Sequence, residues 1–101
     1  MKEELIVAKN AETRLGERMR LGYYLLTESV RHPDLPIHIG YGIKIILQWE
    51  NGVVEEHAMP DLSCSKLGIL SLIQLLSVHA VLPIAMEETV FDYLEAHDLC
   101  V

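Results

Sequence analysis

Tyr23, Tyr41, Glu56, His57 and Tyr93 are the side chains best suited to line a small-ligand pocket, with aromatic faces for a flat ligand and a carboxylate and imidazole to fix its polar end. They lie far apart along the chain, so they converge only if a sheet and helices close over one another. Cys64 is the candidate reactive thiol. It stands where a helix is expected to begin, and the positive end of a helix dipole favours thiolate. A metal centre is not expected. The five histidines, His32, His38, His57, His79 and His97, include no pair at the i, i+3 or i, i+4 spacing that aligns ligands on one helix face, and none has a zinc-site spacing to a cysteine. Nucleophilic catalysis lacks a G-x-S-x-G elbow. Glu55 and Glu56 are neighbours on a strand and point to opposite faces, while Glu87 and Glu88 are neighbours on a helix surface, so neither pair forms a convergent acid and base. Gly40-Tyr41-Gly42 resembles half a phosphate loop, but it lies inside an alternating strand, where glycine marks a bulge or a close approach. No catalytic residue and no cofactor are therefore expected.

Composition narrows the partners. The chain has 101 residues, half of them hydrophobic, which suits one core. Eight Lys and Arg face fifteen Asp and Glu for a net charge of −7, and such a chain repels phosphate backbones, so nucleic acid is not expected as a partner. Residues 1–35 balance six bases with six acids, whereas residues 36–101 hold nine acids against Lys44 and Lys66. The acidic end, with Glu87, Glu88, Asp92, Glu95 and Asp98, is either a solubilising helix surface or a docking face for a basic partner. Two cysteines, Cys64 and Cys100, without a C-x-x-C pairing suit a reducing interior. The N-terminus lacks the pattern of a signal peptide. Leu67–Met86 carries no charge, but Pro83 and the polar Ser71, Gln74, Ser77 and His79 argue for a covered helix rather than a membrane span.

The elements that must position these residues follow from periodicity. Residues 1–20 read as a loosely ordered lead-in to a single α+β domain over residues 21–101. Tyr23–Ser29 is β-favouring, and Arg31–Pro36, with two prolines, reads as a loop. Ile37, Ile39, Tyr41, Ile43, Ile45, Leu47 and Trp49 alternate with their neighbours, which predicts a long strand with one buried face. Asn51-Gly52 suits a two-residue type I′ turn into Val53–Met59, a register that would set Glu56 opposite Leu47 unless a bulge shifts it. Pro60 should close that strand, and Asp61, Ser63 and Ser65 are candidate caps for a helix running to Val81. A second, amphipathic helix should follow from Met86. The expected fold is α+β: an antiparallel three-stranded meander built on a long central hairpin, then two helices packed on one sheet face.

Tyr41-Gly42-Ile43, Asp61-Leu62-Ser63, and Pro83 followed by Glu88-Thr89-Val90-Phe91-Asp92-Tyr93-Leu94 resemble a family of short uncharacterised proteins from clostridia and related Gram-positive bacteria, over roughly residues 22–95. The resemblance implies a cytoplasmic bacterial protein and carries no assigned activity. The apolar excess of Leu67–Val81 and the exposed edges of a small sheet favour a non-enzymatic interaction or regulatory module that self-associates, as a homodimer or with a protein partner. The alternative is a small-ligand-binding domain or minor enzyme with a pocket between sheet and helices.

Overall fold

The computed structural model describes residues 1–96. His97, Asp98 and Cys100 therefore lie outside the described residues. The element order is β1 (Lys2–Glu12), β2 (Arg18–His32), β3 (Leu35–Trp49), β4 (Val54–Ser63), α1 (Lys66–Val78), a short 3-10 turn Pro83–Ala85, and α2 (Met86–Ala96). All four strands form one antiparallel sheet in the order β1-β2-β3-β4.

The sheet thus has four strands rather than three, because the expected lead-in forms β1. Its short apolar run is broken by a bulge between Leu5 and Val7, which moves the inward positions from one alternation to the other and hides the period-two signal. The loop expected over Arg31–Pro36 is also mostly strand, with only Pro33 and Asp34 between β2 and β3. Pro36 falls at the register shift between Val30 and His32, where it has no paired residue on β2, so its missing amide hydrogen costs no ladder bond. Pro60 likewise lies within β4, an edge strand, which continues to Ser63.

Leu21, Tyr23 and Leu25 of β2 alternate inward beside Ile43, Ile45 and Leu47 of β3, and the helices cover them with Ile69, Leu72, Ile73, Leu76, Met86 and Val90. Helix α1 buries one side only, and Leu67 and Val78 stay exposed on the other. Of the three candidate caps, Ser65 is the one that accepts from an amide of the first turn, Gly68 N at 3.1 Å, while Ser63 Oγ accepts from Ser65 N at 3.0 Å. The helix stops short of Val81. Ala80 turns left-handed at φ 49, Val81 N reaches back to Leu76 O at 3.0 Å, and Ala80 N to Ser77 O at 3.1 Å, closing the last turn. Lys9 Nζ donates to Ser77 O at 2.9 Å and places a cation at the negative helix end.

The β3–β4 connection differs from a two-residue turn. Gly52 N bonds Trp49 O at 3.0 Å, Trp49 N bonds Val53 O at 2.8 Å, and Gly52 has φ 94, so three residues form the loop. Register shifts by one: Leu47 faces Glu55, and Glu56 faces Ile46 on the other side of the sheet. Trp49 lies at the blunt end of the core, half-buried, with its indole Nε1 donating to Glu55 Oε2 at 3.1 Å.

Candidate interaction surface

One row of residues marks where the sheet narrows. Lys2, Thr27, Tyr41 and Ser63 pair across all four strands, and beyond them only β2 and β3 continue, from Glu28 to Gly40. This two-stranded arm helps stretch the molecule to 52 Å along its long axis. The alternation that buries Ile43, Ile45 and Leu47 runs on into the arm, past the end of the helical layer. There Leu35, Ile37 and Ile39 are 59%, 55% and 44% exposed. The continuous buried face expected from Ile37 to Trp49 therefore ends at Tyr41, because period two reports the direction of a side chain and not whether another layer reaches it. A bare two-stranded hairpin is marginal in water.

The residues expected to line a pocket do not all share one face of the sheet. Tyr23 is fully buried, and its hydroxyl donates to Val81 O at 3.0 Å. Tyr41 and His57 are half-buried on β3 and the edge strand β4, and Tyr93 packs against the core from α2. Glu56 is on the opposite, open face, where it and Glu3 flank Lys44 at 3.8 Å and 3.2 Å. Cys64 is exposed and disulfide-bonded, so it presents no thiolate in this state. Among the described residues no group of three or more His, Cys, Asp or Glu is placed to hold a metal ion. No helix among them is long and apolar enough to cross a membrane.

Burial gives Tyr23 one measurable signature, since it pushes the phenol from its ordinary 10.0 up to about 12. Below pH 10 the phenol is neutral folded and unfolded. Above it the unfolded chain ionises first, so stability present at neutral pH is lost as pH rises toward 12, by about 2–3 kcal/mol in all. Urea midpoints between pH 8 and 11 should fall more steeply for the natural chain than for Tyr23→Phe. Parallel curves would mean that the hydroxyl is not held neutral.

A profile of a family of unknown function, DUF6514, matches residues 2–96. The chain belongs to DUF6514. Comparison with curated proteins and with solved structures finds no match. The DUF6514 match spans every strand and both helices, and so includes β1 and the arm. Within this DUF6514 chain, Tyr41-Gly42-Ile43 lies at a shift in register between β3 and β4. A Cβ on Gly42 would run into Met59 O and lie 2.6 Å from Pro60 Cα, so β4 crosses the glycine at backbone contact. Asp61, in the segment that crosses, has φ 50 and approaches His38 Nε2 at 3.9 Å. Gly42 serves this close approach, and the sequence signal for the arm was present as well: Leu35, Ile37 and Ile39 alternate beyond any segment that a helix follows back to cover.

Proposed function

We propose that this chain is a non-enzymatic interaction module that self-associates through the β2–β3 arm. The observation that carries this reading is the exposed row Leu35, Ile37 and Ile39 on a hairpin with no third strand among the described residues. A second copy suits it because an acidic chain approaches itself at least electrostatic cost where charge is sparse. The arm from Glu28 to Gly40 holds only Glu28, Arg31 and Asp34 as charged residues, apart from His32 and His38, whereas α2 alone carries Glu87, Glu88, Asp92 and Glu95. Two arms packed apolar face to apolar face give each hairpin the cover it lacks. The resemblance to clostridial proteins supports a place in the bacterial cytoplasm, where Cys64 would meet a reducing thiol pool.

Light scattering across a concentration series, with and without reductant, tests the proposal. The natural chain should reach a dimer mass at high micromolar concentration. Ile37→Ser/Ile39→Ser should remain monomeric while its urea midpoint stays close to that of the natural chain, since both residues are about half exposed and lie outside the core cluster. A natural chain that is monomeric throughout, or a double variant that dimerises equally well, overturns the reading.

A further inference from the structure

The open face of the sheet, opposite the helices, carries a second feature at the end away from the arm. Arg18 and Arg20 are two apart on β2 and point to this face, since Met19 between them and Leu21 and Tyr23 beyond them point to the core. Among the described residues neither arginine has an ion-pair partner, in a chain where acids outnumber bases by seven. Asn10 and Gln48 flank Arg20 in register from β1 and β3. The next row is small at its centre: Gly22 lies between Ala8 and Ile46. The Tyr24 ring folds back over this glycine, with Cε1 2.9 Å from where a Cβ would stand and Leu5 Cδ1 at 3.5 Å.

Two surface depressions meet here. One of about 680 Å³ takes in Arg18, Arg20, Gln48 and Trp49, and the other, of about 250 Å³, takes in Arg20, Gln48, Gly22 and Tyr24. Arg20 and Gln48 belong to both, so the two run together as a trough with cations and amides at one end and apolar and aromatic walls at the other.

We infer that this trough binds a monoanionic carboxylate with a flat apolar body. An unpaired guanidinium offers paired N–H groups in the geometry of a carboxylate, and the amides of Asn10 and Gln48 supply further donors at its side. A flat ring can lie over the small Ala8 position and stack on the outer side of the Tyr24 ring, which itself covers Gly22. Glu12 and Glu50 line the outer rim, which selects against a dianion such as phosphate.

The test is an amide chemical-shift titration of the whole chain with 2-naphthoate, with 2-naphthalenemethanol as the uncharged analogue and inorganic phosphate as the body-less anion. The naphthoate should shift amides of residues 8–10, 20–24 and 46–49 along saturable curves. Arg20→Gln should weaken it about tenfold, the loss expected for a charge-assisted pair, and Arg18→Gln should weaken it less. Both changes are on exposed positions and leave the core untouched, so a folded spectrum is expected from each. The arm lies at the other end of the sheet, and Ile37→Ser/Ile39→Ser should titrate like the natural chain, which separates this site from self-association. The inference is overturned if the alcohol or phosphate binds as tightly as the naphthoate, if neither arginine variant changes the affinity, or if the shifts fall outside the trough.

Discussion

Leu72→Ala is expected to lower the free energy of unfolding by about 2–5 kcal/mol, the range for emptying a fully enclosed leucine site. Leu72 has no exposed surface and belongs to the one cluster that joins α1 to β2 and β3. Its loss removes contacts on both layers, and a helix held by one face has no second packing surface to compensate. The matched control is Leu75→Ala three residues on. Leu75 is 36% exposed at the border of the covered face, and its truncation should cost under about 1 kcal/mol. Urea melts followed by circular dichroism measure both. Equal losses would show that α1 is held from two sides, as in an obligate dimer seam.

The second large effect is expected at Gly42. An added methyl there meets Met59 O and Pro60 Cα, both backbone atoms of the crossing strand, so no side-chain rotation relieves it. Gly42→Ala should cost about 3 kcal/mol, the upper part of the range for overpacking, because β4 itself must move. Gly40→Ala is the informative comparison. Its methyl meets the Asp61 carboxylate and lies 3.0 Å from Val30 Cγ2, both side-chain atoms, and a cost of about 1 kcal/mol is expected. Reversal of that order in denaturant midpoints would place the close strand crossing at Gly40 instead.

What the sequence disclosed, and what it concealed, divides along a physical line. The β3 strand, its turn to β4, α1 and α2 were legible because each has a periodic apolar pattern and a local stop signal, such as Asn51-Gly52 or Leu82-Pro83. Hidden was β1, whose bulge after Leu5 exchanges inner and outer positions within one short strand. The turn length escaped too, since Gly52 takes a positive φ in either turn, while only the two-residue form also needs one at Asn51; here Asn51 instead accepts the Val53 amide through Oδ1 at 2.9 Å. The separation of Glu56 from the other expected lining residues has a related cause. Tyr23 and Glu56 were both plausible lining residues by type, but a one-residue change in register put Glu56 on the face opposite Tyr23. Arg18 and Arg20 carry no sequence signal of a site, because they open β2 in a stretch without a sustained period. Only once β1 and β3 are paired on either side of β2 do Asn10 and Gln48 join Arg20.

The order β1-β2-β3-β4 also bears on how the chain assembles during synthesis. Every strand pairs with the one made just before it, so each ladder can close as soon as its second strand has left the ribosome, without waiting for a distant segment. The inward side of the sheet is different. Leu21, Tyr23, Ile43 and Ile45 remain wet until α1 has been made, and α1 comes after all four strands. While Ser63 has left the ribosome and Val78 has not, the chain therefore holds a complete sheet with a bare apolar side, and that interval is when it most needs a chaperone.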